Sequence, residues 1–254
     1  MRNFKLIIEY EGTRYRGWQR QGNTEKTVAG KIEGVLSRLL EQPITLCGSG
    51  RTDAGVHALG QTANFKAETE KTPTEMLTAC NAYLPEDIRL VAAEEVPLRF
   101  HSRLNALRKT YCYRMYLGER LPVMERHFLT SVSPALQVDA MERAVLACVG
   151  RHDFQSFCAV KRPKKSTVRT VYACKLTRRG QELQLQVTGD GFLYHMVRIL
   201  AGTLVEIGEG TRAEDSIPAL LAAKDRSQAG RLMPACGLTL LQVEYPEGGE
   251  KDEA

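Results

Sequence analysis

The residue types best suited to chemistry lie in one short segment, Gly48–Ala58 (GSGRTDAGVHA). A single carboxylate, Asp53, sits on a glycine-rich turn, with Arg51 two residues before it and His57 four residues after. No second acid occurs between Gly48 and Lys66. An ionised carboxylate in this setting can attack an electrophilic carbon and later leave, or take up a proton. Gly48, Gly50 and Gly55 would let the backbone approach a ligand closely. An Asx-type turn accounts equally well for an aspartate in such a loop.

Other candidate centres are weaker. His152-Asp153 has no third ligand at suitable spacing, and neighbours on a strand point to opposite faces, so the pair reads as structural. The seven cysteines are scattered and never form a C-x-x-C pair, which argues against zinc and against a disulfide framework and for reduced, mostly buried thiols. Gly208-Glu209-Gly210 lacks the strand-then-helix context of a dinucleotide fingerprint, and there is no Walker loop. No metal, ATP or NAD is indicated, and no cofactor is expected.

Elements that would position the turn follow from periodicity. In the first half, Phe4–Tyr10 reads as a strand. Val28, Ile32, Val35, Leu36, Leu39 and Leu40 recur at helical spacing and end before Pro43. Ile44–Cys47 and Gln61–Phe65 are strands flanking the Asp53 turn. Thr72-Pro73-Thr74-Glu75 is a capping box opening a helix to about Tyr83, and Ile88–Val91 is a strand. The second half repeats the order. Thr110–Tyr116 is a strand, and Asp139 and Glu142 cap a helix ending near Gly150. Val168–Thr177 and Leu183–Val187 pair through a turn at Arg179-Gly180. Met196, Leu200, Leu204 and Ile207 form a helical stripe, a short helix runs from about Asp215 to Ala223, and Leu238–Tyr245 is the closing strand. Two β-α-β-β-α-β units in an α+β chain are expected: 1–105 carrying the aspartate loop, 106–246, and an acidic, frayed tail at 247–254. Such topology is shared by many unrelated domains and is weak evidence of function.

The chain has 254 residues, 43% of them hydrophobic, so a proper core is expected. No apolar run approaches the roughly 20 residues that cross a membrane, and the N-terminus shows no signal-peptide stretch, so a cytoplasmic location is expected. Net charge is +5, with −3 in the tail 247–254 and +8 in the remainder. Lys161–Arg179 carries Lys161, Arg162, Lys164, Lys165, Arg169, Lys175, Arg178 and Arg179 with no acid, and Arg99–Arg114 carries Arg99, Arg103, Arg108, Lys109 and Arg114 with none either. Interleaved with Tyr111, Tyr113 and Tyr172, these tracts suit a polyanion with exposed bases better than an ordinary solvated face.

Five stretches resemble the TruA family of tRNA pseudouridine synthases: Tyr10–Gln19 (YEGTRYRGWQ); Gly48–Phe65 around RTDAGVH; FHSR at Phe100–Arg103 leading into KTYCY at Lys109–Tyr113; His152–Phe157 (HDFQSF); and Gly189–Arg198 (GDGFLYHMVR) running on to Gly210. They span most of the chain in the family's order, and the RTDAGVH segment is the most specific. Leu104 stands where an aromatic residue is usual and Ile199 where asparagine is common. The resemblance implies two ferredoxin-like/RRM-like domains with antiparallel sheets forming a central cleft, and isomerisation of uridine in the anticodon stem-loop of tRNA, at positions 38, 39 and 40. It implies Asp53 as catalytic nucleophile or base, Arg198 as its guanidinium partner and Tyr111 as the residue that stacks on the flipped uracil and assists loss of the C5 proton. Arg51, His57, Arg103, Lys109, Arg169 and His195 are the matched candidates for RNA contact, although a lone histidine after a turn is more often structural. Trp18 reads as a packing residue. A homodimer is implied as well.

Two rivals predict other residues. A nucleoside N-glycosidase would normally use a second carboxylate or a positioned water, and the Asp53 turn offers arginine and histidine instead. A tandem RRM-like binding protein would carry an RNP run, Lys/Arg-Gly-Phe/Tyr-Gly/Ala-Phe, which is not present.

Overall fold

The computed structural model describes every residue except Gln21, Asn23, Glu25 and 247–254. The acidic tail expected at 247–254 therefore lies outside the described residues. In chain order the elements are β1 (Arg2–Tyr10), α1 (Val28–Leu39), β2 (Cys47–Gly48), β3 (His57–Ala67), α2 (Pro73–Tyr83) and β4 (Ile88–Val96), then β5 (Arg108–Leu117), β6 (Thr130–Val132), α3 (Val138–Ala144) and β7 (Gly150–Asp153), then β8 (Val168–Arg179), β9 (Glu182–Gly189), α4 (Met196–Gly208), α5 (Ser216–Ala223) and β10 (Leu238–Glu244). The result is a mixed α+β chain whose strands pair mostly antiparallel.

The chain divides into two compact units, one made of Met1–Leu107 with Leu240 and the described residues after it, the other of Arg108–Thr239. In the first, β1 lies between β3 and β4, antiparallel to both, and Phe4, Leu6, Ile8 and Tyr10 alternate into the core. Phe4 stacks on Phe65 of β3 at 5.4 Å, and Ile32 and Leu36 of α1 are fully buried. The Thr72 capping box forms as expected, with the Thr72 hydroxyl accepting from the Glu75 amide and the Glu75 carboxylate accepting from the Thr72 amide. The strand expected at 44–47 shrinks to Cys47–Gly48, paired with β3. Its earlier amides are taken by helix side chains instead: Ile44 N–H donates to Ser37 Oγ and Leu46 N–H to Glu33 Oε1, both at 2.9 Å.

In the second unit the sheet order is β5-β9-β8-β7, all antiparallel, with β6 parallel to β5. Short β6 and β7 carry too few residues to show a period. The expected stripe Met196, Leu200, Leu204 and Ile207 is the buried face of α4. Helix α3 departs from expectation: Gln137 is its N-cap, without a side-chain bond, and Asp139 lies inside the first turn. The Gln137 amide donates to the Gly208 carbonyl at 2.8 Å, so contact with α4 sets this end of the helix. The helix also stops early, at Ala144, and passes into a 3-10 turn over Val145–Cys148.

The closing strand was expected with residues 106–246, yet from Leu240 it groups with the first unit. Leu107 N–H donates to the Glu244 carbonyl at 2.8 Å, the Tyr245 hydroxyl donates to the Ser102 carbonyl at 2.6 Å, and the Phe100 and Tyr245 rings meet at 5.2 Å. These contacts tie the chain's return to the end of the first half. All seven cysteines are free; Cys47 is exposed, Cys236 half-buried and the other five buried. Among the described residues no helix is long and apolar enough to cross a membrane, and no group of three His, Cys, Asp or Glu could hold a metal ion.

Candidate active site

Asp53 is half-buried on the turn between β2 and β3. The turn closes by a bond from Val56 N–H to the Asp53 carbonyl at 3.2 Å, with Gly55 at φ +80°. Its neighbour Thr52 is anchored twice. The Thr52 hydroxyl meets the Tyr10 hydroxyl of β1 at 2.7 Å, and the Thr52 carbonyl accepts the Trp18 amide at 3.1 Å. Burial pushes the Tyr10 phenol well above its ordinary range, so it stays a neutral hydrogen-bonding group at any working pH. On the β2 side, buried Gln61 accepts from the Ser49 hydroxyl at 2.7 Å and donates to the Gly50 carbonyl at 3.2 Å.

Two glycines of the preceding loop make this approach possible. Gly17 has φ +94°, and a Cβ there would lie 2.7 Å from the Thr52 carbonyl oxygen and 3.2 Å from the Asp53 carbonyl carbon. A Cβ on Gly12 would lie 1.9 Å from the Val56 carbonyl oxygen. Gly12 N–H donates to His57 Nδ1 at 3.0 Å, which assigns an unprotonated Nδ1. At 2% exposure and bonded to the Gly12 amide, His57 props the turn, the structural role that the sequence left open for it beside RNA contact. Trp18 packs as expected, 1% exposed, against Tyr10 at 6.0 Å and against the Gly48 backbone. Asp53 thus projects from a turn held by buried groups on both sides, which limits the orientations its carboxylate can take.

Arg51 is exposed and donates to Gln19 Oε1 at 3.2 Å. Arg103 is exposed on a turn docked to the same region: neighbouring Ser102 donates its hydroxyl to the Cys47 carbonyl and its amide to Asn64 Oδ1 at 2.9 Å. The first unit therefore brings Asp53, Arg51 and His57 into one turn and sets the Arg103 turn against its β2 end.

Tyr111 and Arg198 lie in the second unit. Tyr111, on β5 opposite Val187 of β9, is 8% exposed and packs edge-on against Phe192 at 5.0 Å. Arg198 is in the first turn of α4 and donates from Nε to the Met233 carbonyl at 2.8 Å. The segment carrying Met233 lies tight on α4 because Gly202 and Gly230 leave it room; a Cβ on Gly202 would stand 1.9 Å from the Arg231 carbonyl oxygen. His195, at φ +65°, precedes the helix and stacks on Tyr194 at 3.7 Å. Lys109 is registered with Gly189. The Arg169 guanidinium donates to the Ser166 and Val168 carbonyls at 3.0 and 2.6 Å, beside Gly191. The loop Gly189–His195 is thus ringed by Lys109, Tyr111 and Arg169. Sequence reasoning missed Tyr10, Gly12, Gly17 and Gln61 as supports of the turn, because their partners are distant in the chain; the one local signal was the two glycines, Gly12 and Gly17, ahead of Trp18.

The sequence profile described as tRNA pseudouridine synthase matches residues 6–105 and 144–246. A "tRNA pseudouridine synthase A" from Bacillus sp. strain KSM-64 is 44% identical over 96% of this chain and 100% of its own length. A "tRNA pseudouridine synthase A 2" from Bacillus cereus strain ZK / E33L is 42% identical with the same coverage, and a "tRNA pseudouridine synthase A" from Caldicellulosiruptor bescii is 44% identical, again over 96% and 100%. These similarities define the class as pseudouridine synthases, isomerases that convert uridine to pseudouridine. The chain belongs to the tRNA pseudouridine synthase family.

Proposed function

We propose that this protein isomerises uridines of the tRNA anticodon stem-loop, with Asp53 as the catalytic nucleophile or base. The observation that carries the reading is the clamped turn: a lone carboxylate whose neighbour Thr52 is fixed by Tyr10 and Trp18 and whose backbone is closely approached by Gly17. The reaction breaks the uracil N1–C1′ bond and forms C5–C1′; C5 loses a proton and N1 gains one, so atoms balance without a redox partner. Asp53 supplies the group that assists glycosidic cleavage and is regenerated when C5 bonds to C1′. Tyr111 stacks on the extruded uracil and assists proton loss at C5, and Arg198 is the guanidinium that orients the Asp53 carboxylate. These assignments require residues of both halves, each a ferredoxin-like unit in this reading, to act on one nucleotide. Exposed Arg51 and Arg103, with Lys109, Arg169 and His195, hold the RNA backbone. The enzyme works in the cytoplasm, as a homodimer and without a cofactor.

The test uses tRNA tritiated at uridine C5. Wild-type protein is expected to release tritium while the base stays in the RNA, and to release none when the anticodon-arm uridines are replaced by cytidine. Asp53→Asn should lower the rate at least about a thousandfold while tRNA binding persists. Substantial turnover by Asp53→Asn overturns the assignment, and release of free uracil would make the protein a glycosidase.

A further inference from the structure

On the sheet of the second unit, beside Lys109, Tyr172 of β8 and Arg108 of β5 form a pair, with the guanidinium carbon 4.7 Å from the ring centroid. Three features set it apart. First, Tyr172 sits in a β-bulge: Val171 is registered with Gly189 and Ala173 with Thr188, so Tyr172 is the inserted residue. The bulge breaks the strand's alternation, leaving both Tyr172 and Ala173 exposed between buried Val171 and Cys174. Second, Lys109 and Val171 are both registered with Gly189, the last residue of β9, and Arg108, one residue beyond Lys109, reaches the bulged Tyr172 ring across that end of the strand. Third, the ring remains 44% exposed although a cation covers it. A pair that served only to stabilise the sheet end would gain most by hiding the ring.

The face is distinct from that of Tyr111. Side chains alternate along β5, and Arg108 and Tyr111 are three residues apart, so they point to opposite faces. Lys175 is the next exposed cation along β8 after the bulge, and β8 is entered from an exposed run with Lys161, Arg162, Lys164 and Lys165. From Lys161 to Arg179 there is no acid. The carboxylate just past this end of β9 is engaged: Asp190 accepts the Thr170 amide at 3.0 Å.

We infer that Tyr172, Arg108 and Lys175 form a second RNA-contact platform, on which an unpaired nucleotide other than the target uridine stacks against Tyr172 while its phosphates lie on Arg108 and Lys175. An exposed aromatic ring bordered by cations offers the two things such a nucleotide needs, a face for the base and charge for the backbone. This inference rests on the RNA-modifying reading above, and it assigns to that reading a binding surface on the opposite sheet face.

The experiment measures the Kd for an unmodified tRNA transcript, and KM and kcat for tritium release, with wild type, Tyr172→Ala, Tyr172→Phe and Arg108→Gln. Tyr172→Ala should weaken binding and raise KM at least about fivefold with kcat unchanged. Tyr172→Phe keeps the ring and should stay within about twofold of wild type. Arg108→Gln should weaken binding and flatten its salt dependence by about one phosphate contact. Wild-type affinity in a folded Tyr172→Ala overturns the platform. So does an altered oligomeric state with unchanged affinity per protomer, which would make the face a protein interface. Should Tyr172→Ala not fold, Arg108→Gln with wild-type affinity and salt slope overturns it. A wild-type protein inactive on tRNA counts against the function instead, whereas an active wild type with indifferent variants counts against the platform alone.

Discussion

Gly17→Ala is the sharpest test of how the Asp53 turn is built. Gly17 has φ +94°, a conformation that costs an alanine on the order of 1–3 kcal/mol. The new Cβ would also stand 2.7 Å from the Thr52 carbonyl oxygen, which must retreat to at least 3.0 Å, and to 3.4 Å for an ordinary contact. That oxygen is backbone and cannot rotate away, and it already accepts the Trp18 amide at 3.1 Å, so its retreat loosens the bond that holds the turn. Asp53 is the next residue and moves with it, by a sub-ångström amount. Displacement of this size at a reacting group corresponds to roughly a 10- to 100-fold loss of kcat. On the proposed reading most of the RNA-contact side chains, Arg103, Lys109, Arg169 and His195, lie outside this turn, so the loss should fall mainly on kcat and less on KM. Thermal unfolding should fall by roughly 2–4 °C for each kcal/mol of strain. Tritium release under saturating tRNA reads the first quantity and a melting curve the second. A Gly17→Ala protein with wild-type kcat refutes the claim that the Gly17 contact positions Asp53.

Gly34→Ala is the matched opposite. Gly34 is exposed within α1, with nothing within 4 Å of a Cβ there, so the substitution should stabilise by about 0.5–1 kcal/mol in chemical denaturation and leave kcat alone; a loss of stability would count against the description of α1. The Arg114 guanidinium, bonded to Glu182 at 2.7 and 2.9 Å, holds the Glu182 carboxyl below its ordinary value of 4.5. A depressed folded pKa contributes stability that is fully present above 4.5 and is lost as pH falls through the lower folded value. The stability gap between wild type and Glu182→Gln should therefore be open at neutral pH and close below pH 4.5, and an equal gap at pH 7 and pH 3 would show that the ion pair does not govern it.

Legibility in the sequence followed the range of the forces involved. Helix α2 could be read because Thr72, Pro73 and Glu75 carry its start within one turn, and α4 because Met196, Leu200, Leu204 and Ile207 repeat over three turns. Ile44–Cys47 looked like a strand by composition, but Ser37 and Glu33 of α1 had first claim on its amides, a competition that local propensity does not register. The start of α3 was misread for the same reason, since its Gln137 amide is satisfied by Gly208 of another helix. The closing strand reads correctly as a strand, and only long-range bonds such as Tyr245 to Ser102 decide which half it joins.

The site divides along the same line. Arg51, Thr52, Asp53 and His57 announce themselves within seven residues, and the Val56 amide closes the turn on the Asp53 carbonyl from within them, but the bonds that anchor the turn to the rest of the fold come from elsewhere. The anchoring is done by Tyr10, Gly12, Gly17, Trp18 and Gln61, through three bonds that involve a side chain, a backbone bond and two approaches that only glycine allows. His57 shows the consequence most plainly: its place in the segment allowed either RNA contact or a structural role, and what bonds its Nδ1 inside the protein is the Gly12 amide, 45 residues away. A segment with the same seven residues but without Gly12 and Gly17 opposite it would present its aspartate on a mobile loop, where the entropy of ordering it would be added to every catalytic event. Which carboxylate is the candidate is therefore readable locally in this chain, whereas how firmly its turn is held is a property of the first unit's fold.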